Sequence, residues 1–250
     1  MVATVLCIVC SVLVSAAAVV LEERQEKEKA LDRQKNILVA CGLRTKDATA
    51  EEVQILFNSR LVTKAIDFKS GAYDDAFETV GYEQTKAAKD PARSVEVPAD
   101  VDVAGVRRRA LKGLVYLVND ESGKPIQYVL PIHGMGLWGT LYGFLAVDGD
   151  LNTVRGLGYY EHKETPGLGG EVENEKWKAQ WPGKVLRDAG GDLKIEVLKG
   201  VVDTSRPEAK HQVDGLAGAT ITSRGITNML RYWLGPHGYE PYLKQLAGGS

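Results

Sequence analysis

From Ile226 to Leu234 the apolar residues Ile226, Met229, Leu230, Trp233 and Leu234 recur at the i, i+3, i+4, i+7, i+8 spacing of one helical face. A helix with one apolar stripe must lay it against another layer, so the rest of the chain has to supply a sheet or further helices. Thr222 and Ser223 stand where the first turn would be capped, and Gly235-Pro236 ends the pattern. Upstream, Asp214-Gly215-Leu216-Ala217-Gly218-Ala219 is a turn of mostly small residues that leaves the Thr220 hydroxyl accessible. Thr220 thus falls just before a helix N-terminus, where unpartnered N–H groups and the positive end of the helix dipole favour an anion such as a phosphate.

The covering layer is visible further back. Gly113 to Val118 and Ile126 to Pro131 flank the turn Asn119 to Pro125 and read as a hairpin. Thr140 to Val147 and Thr153 to Glu161 flank Asp148-Gly149-Asp150 as a second, and Leu193 to Leu198 reads as a further strand. With helices on either side, the pattern predicts an α+β fold: a mainly antiparallel or mixed sheet covered by helices. Thr49-Ala50-Glu51-Glu52 is a capping box, opening a helix with Val53, Leu56, Phe57 and Leu61 as its apolar stripe. Between Phe68 and Asp100 the carboxylates Asp74, Asp75 and Glu78 lack a calcium-loop pattern and read as a solvated face. Arg107-Arg108-Arg109 reads as exposed surface.

Val2 to Leu21 carries no charge and is long enough to cross a bilayer core as a helix. The small residues Ser15 to Ala18 would suit a cleaved leader, but the missing basic n-region and the length favour a retained span. Cys7 and Cys10 lie within it as packing residues, and Cys41 stands apart, so no disulfide framework is implied. Glu22 to Cys41 continues as a charged helix stopped by Gly42, which would lift the following domain off the membrane. The chain divides on this reading into a transmembrane helix (1–21), a helical membrane-proximal region (22–100) and a larger domain (101–250). The net charge of -2 offers no basic field for nucleic acid. His133, His162, His211 and His237 are scattered without metal-ligand spacing, and no dinucleotide fingerprint occurs.

Two further glycine-rich stretches, Gly134-Met135-Gly136-Leu137-Trp138 and Glu164-Thr165-Pro166-Gly167-Leu168-Gly169-Gly170, join Ala217-Gly218-Ala219-Thr220 in a set. Together they resemble the FMN-binding domain whose flavin is esterified through its phosphate to threonine. The likeness extends through Leu31 to Leu38 and Trp177 to Lys184, and over that span the chain resembles the family of C subunits of bacterial Na+-translocating NADH:quinone oxidoreductases. The usual Ser or Thr at the first position of the attachment tetrapeptide is Ala217 here.

The resemblance implies a covalent FMN on Thr220, placed there from FAD by a Mg-dependent flavin transferase that recognises Asp214, Gly218, Ala219 and Thr220. A threonine hydroxyl is a poor nucleophile and no activating base stands beside it in the sequence, in keeping with a separate enzyme. Trp138 and Leu168 are expected against the flavin ring, with Glu164, Thr165, Gly167 and Gly169 around its polar edge or phosphate. A core position for Trp138, a surface pairing of Glu164 with Lys163 and attachment at Thr222 are the competing readings. The family further implies a single-pass protein of the bacterial inner membrane with its large domain in the periplasm. Its partners would be other subunits, notably B, D and E. Electrons from NADH would arrive from an iron–sulfur centre and leave for the flavin of the B subunit, then quinone, while sodium crosses; no complete active site lies on this chain. The matching G subunit of the ferredoxin-to-NAD complex and a flavin-free membrane scaffold are the alternatives.

Overall fold

Helix α1 (Val2–Ala40) opens the chain in the computed structural model, which describes residues 2–43 and 48–248, with side chains for all but 13, 16–20, 22–24 and 26. The stop at Gly42 is as the sequence predicts. Gly42 takes φ +70°, its N–H reaches Val39 O at 3.0 Å and the Leu43 N–H reaches Leu38 O at 3.0 Å, a Schellman closure that needs the left-handed glycine. Among the described residues no helix is long and apolar enough to cross a membrane. Part of the expected span, at 13 and 16–20, has side chains outside the described set, whereas Val5, Leu6, Ile8, Val9 and Val12 are exposed.

The C-terminal part of α1 does not stand clear as a stalk. Ile37, Leu38, Ala40 and Cys41 are buried with Val129, Phe144 and Ala146 of the sheet. The approach is close enough that a Cβ at Gly156 would lie 2.3 Å from Ala40 O, which only glycine permits.

Helix α2 (Ala50–Arg60) begins on the expected capping box, Thr49 exchanging bonds with Glu52. It ends a residue short of Leu61, which instead starts β1 (Leu61–Asp67), a strand that the sequence pattern does not announce. Then follow α3 (Gln84–Ala87), β2 (Ser94–Glu96), β3 (Arg108–Ala110), β4 (Lys112–Asn119), β5 (Pro125–Met135), β6 (Thr140–Asp148) and β7 (Val154–Glu161). After these come α4 (Glu175–Lys178), β8 (Glu196–Val197), β9 (Gln212–Val213), α5 (Thr220–Trp233) and α6 (Glu240–Gly248). The five-stranded sheet runs β1-β4-β5-β6-β7 with every neighbour antiparallel, and β8 pairs with β9 in parallel. The strand expected over Leu193 to Leu198 is therefore only Glu196–Val197.

One face of the sheet buries Leu130, Ile132, Leu141 and Leu145 against α5, whose Ile226, Met229, Leu230 and Trp233 are wholly buried. Each such side chain contributes about 2 kcal/mol through its removal from water. α1 and α2 cover the other face. Beyond Val129, β5 parts from β4, and Tyr239 fills the split: its hydroxyl lies 2.9 Å from Pro131 O and 3.2 Å from Leu114 O. The Gln84 side chain accepts from Leu114 N at 3.0 Å, and Trp233 Nε1 donates to His133 O at 2.6 Å, so the parted edges keep hydrogen-bond partners.

Asp74 and Asp75 pair with Lys112 and Lys64, at 2.8 and 2.6 Å. Arg109 is not simple exposed surface: its guanidinium lies 4.8 Å over the Phe68 ring and donates to His237 O.

Candidate functional site

α5 starts at Thr220 with Ala219 as a cap residue that makes no side-chain bond, three residues ahead of the Thr222 cap that the capping argument suggests. Thr222 and Ser223 therefore cap nothing. They lie in the first turn, fully or almost fully buried, and use their hydroxyls for tertiary contacts. Ser223 Oγ accepts from Leu216 N at 3.0 Å, tying the preceding turn to the helix. Thr222 Oγ1 donates to Glu164 Oε2 at 2.5 Å.

The turn before the helix is built by Gly218. Ala219 N reaches Leu216 O at 3.0 Å around Ala217 and Gly218, the latter at φ +70°. A Cβ there would also lie 2.8 Å from Leu168 Cδ2, so the Thr220 turn and the Leu168 loop touch at a position that requires glycine. Asp214 is anchored on three sides: Oδ1 accepts from Val202 N at 2.7 Å, O accepts from Trp177 Nε1 at 2.8 Å and N donates to Gln180 Oε1 at 3.0 Å.

The 164–170 loop is a second such turn. Leu168 N donates to Thr165 O at 3.1 Å across Pro166 and Gly167, and Gly167 takes φ +77°. Gly170 N also donates to Thr165 O, at 2.9 Å. Glu164 at its base is 6% exposed and does not pair with Lys163; its Oε1 accepts from Trp138 N at 2.9 Å. One carboxylate thus joins the β5–β6 turn, the 164–170 loop and the first turn of α5. Glycine makes room for it, since a Cβ at Gly136 would lie 2.6 Å from Glu164 Oε1 and one at Gly169 2.4 Å from Glu164 Oε2. Of the stretch read as a loop, Gly134 and Met135 complete β5, and only the residues after them turn.

Trp138 is no core residue. It is 66% exposed, with Leu168 at 43% and Leu137, Ile221 and Met135 also exposed. Apolar surface left open beside a partly exposed threonine is the character of a ligand cover. Thr220 itself lines a groove of about 220 Å³ with Lys199, Arg224 and Arg231. The N–H groups of Thr220, Ile221 and Thr222 have no intrahelical acceptor, because they form the first turn of an uncapped helix. These donors and cations fit a phosphate, and the exposed Trp138 and Leu168 fit a flat apolar ring.

Sequence reasoning misses the Thr222–Glu164 bond and the groove cations, whose meeting no local spacing reveals. Among the described residues no group of His, Cys, Asp or Glu forms a metal cluster.

A five-stranded antiparallel sheet whose glycine turns converge on the N-terminus of α5 defines a flavin-domain protein, and residues 136–235 match the family model described as "FMN-binding domain". The chain is 51% identical to the C subunit of the Pseudomonas aeruginosa Na(+)-translocating NADH-quinone reductase, over all of its own length and 95% of that protein's. It is 42% identical to the Yersinia pestis counterpart over all of its length and 92% of the relative's. The crystal structure of Shewanella oneidensis NqrC superposes with a TM-score of 0.78 at 32% identity, covering 86% of this chain and 96% of that one. The chain belongs to the family of C subunits of the Na+-translocating NADH-quinone reductase, and so to the subunits of an oxidoreductase complex.

Proposed function

We propose that Thr220 carries FMN as a phosphate ester and that the chain relays single electrons within the membrane-bound, sodium-pumping reductase. The observation that carries this reading is the placement of Thr220. Thr220 is partly exposed at the first position of an uncapped helix, next to the turn that touches Leu168, whereas the Thr222 hydroxyl is buried and committed to Glu164. The attachment transfers FMN from FAD: the Thr220 oxygen bonds to the FMN-side phosphorus, the pyrophosphate link to AMP breaks, and the hydroxyl proton leaves. With both oxygens of Glu164 engaged elsewhere, that carboxylate is not the base for Thr220, and a separate flavin transferase supplies the activation.

When bound, the flavin supplies the one-electron chemistry. Trp138 and Leu168 cover its ring, backbone N–H groups of α5 with Arg224 and Lys199 face its phosphate, and the turn from Thr165 to Gly169 borders its polar edge. Residues 2–21 are the membrane anchor of an inner-membrane protein with a periplasmic domain; the support is a 39-residue helix whose first half carries no charge. The chain works with the other subunits, notably B, D and E.

The test is the intact mass of the full chain coexpressed with a flavin transferase, beside Thr220→Ala and Thr222→Ala. A gain of FMN less one water, kept in Thr222→Ala and lost in Thr220→Ala, is expected. No adduct on any of the three would leave a colourless scaffold as the better reading.

A further inference from the structure

A cavity of about 310 Å³ opens beside the β5–β6 hairpin, bounded by α3, residues 105–108 and the strands carrying His133 and Tyr142. Its floor is aromatic: the His133 ring stacks on Tyr142 with centroids 5.6 Å apart and tilts against Trp233 at 4.9 Å. Trp233 donates to the main-chain oxygen of His133, and among the described residues no hydrogen bond engages the His133 ring nitrogens.

The rim is cationic, with Lys89, Arg107 and Arg108. The side chains of Lys89 and Arg107 form no ion pair among the described residues. Arg108 gives its guanidinium to Ser94, with Nε at 3.0 Å from Ser94 Oγ, and makes none with its cross-strand neighbour Glu96. The carboxylate beside the cavity, Asp102, is taken up by backbone: it accepts from Val106 N and Arg107 N, both at 2.7 Å. Those bonds, with Val97 N donating to Arg107 O at 2.8 Å, hold Arg107 at φ +63°, a left-handed conformation unfavourable for a residue with a Cβ. The fold therefore fixes, at a cost, the backbone that presents an unpaired cation.

The wall continues into the flavin hairpin. Ala104 O accepts from Met135 N at 2.8 Å, a Cβ on Gly105 would lie 2.6 Å from Met135 Cγ, and Val103, Met135, Leu137 and Trp138 are all exposed. Arginine, methionine and aromatic side chains around a small recess are the composition of a protein interface. The cavity is at the lower end of the range for a free organic ligand, and its unpaired cations call for an anion.

We propose that this cationic recess receives an acidic side chain of a neighbouring protein of the reductase, docking that protein against the flavin hairpin. The inference rests on membership of the complex and on none of the flavin chemistry. Charges placed this way orient a partner and exclude wrong ones by repulsion.

The test uses the full chain coexpressed with the other subunits and the flavin transferase, carrying Lys89→Glu with Arg107→Glu. The control is Lys124→Glu, in the exposed turn between β4 and β5 at the far end of β5. The charge-reversed chain is expected to be retained on the affinity-purified complex about tenfold less after a salt wash. The control should be retained as the unaltered chain is. Covalent flavin, read as in-gel fluorescence, reports separately on the Thr220 reading and should persist in every variant. If the double variant loses its flavin as well, Lys89→Glu alone, an exposed position, decides the matter with a retention loss of its own. Equal retention of reversed and unaltered chains overturns the proposal. So does saturable, calorimetrically measured binding of inorganic phosphate or succinate at the recess with retention unchanged, which would mark it as a site for a free anion.

Discussion

The Thr222 hydroxyl donates to the Glu164 carboxylate at 2.5 Å, across 58 residues of sequence, and the same carboxylate accepts from Trp138 N. The Thr222 hydroxyl and the carboxylate are buried, whereas Trp138 is largely exposed, so it is the loss of the Thr222 bond that leaves a polar group without compensation. Glu164→Ala should destabilise the fold by about 1–3 kcal/mol, the cost of leaving the buried Thr222 hydroxyl unsatisfied. Glu164→Gln, which keeps one acceptor oxygen, should lose less. Urea midpoints followed by circular dichroism check the order; equal midpoints for Glu164→Ala and the unaltered chain would show that the carboxylate does not hold the loops together.

Gly218 serves both the turn and the contact with Leu168. In Gly218→Ala the left-handed φ costs about 1–2 kcal/mol, and the new methyl group presses on Leu168 Cδ2. The expected outcome is a modest fall in stability with a larger fall in covalent flavin at limiting transferase. A time course of in-gel fluorescence against thermal midpoint separates the two effects.

Tyr239 bridges strands that no longer pair with each other. Tyr239→Phe keeps the ring against Phe68 and Trp233 but leaves Leu114 O and Pro131 O without this donor. A loss of about 1–3 kcal/mol is expected. Hydrogen exchange should quicken first at the amides of β4 and β5 near the split.

Burial holds the His133 imidazole down at about 4, below the ordinary histidine value of 6.5, with Asp102 pulling weakly the other way. Between those values the unfolded chain binds the extra proton and the folded chain does not. Stability from this group is complete above about pH 6.5 and is lost as pH falls towards 4, by up to about 3 kcal/mol. Urea midpoints between pH 7 and 4.5 should fall for the unaltered chain and fall less for His133→Gln; parallel slopes would assign the acid loss to other groups.

The features legible in the sequence are those in which the deciding residues lie within a few positions of each other. The capping box at Thr49, the glycine stop at Gly42 and the apolar stripe of α5 are all of this kind, as are the hairpins around Asn119–Pro125 and Asp148–Asp150. The start of α5 escapes a local reading for the same reason. Thr222 and Ser223 are good caps by local propensity, but buried acceptor and donor groups from elsewhere, Glu164 and Leu216 N, claim their hydroxyls instead. Leu61 reads as one more apolar helical position, and its partner in the sheet, Val118, lies far along the chain.

The sequence by itself determined the α+β class, the small-residue approach to Thr220 and the family, because periodicity, turn residues and motif spacing are local and additive. Tertiary structure alone decided that Trp138 faces solvent, that Glu164 pins three segments and that Lys89, Arg107 and His133 share a recess. Those outcomes depend on sheet register and on which distant group satisfies each buried donor, and neither is encoded within any one stretch of chain.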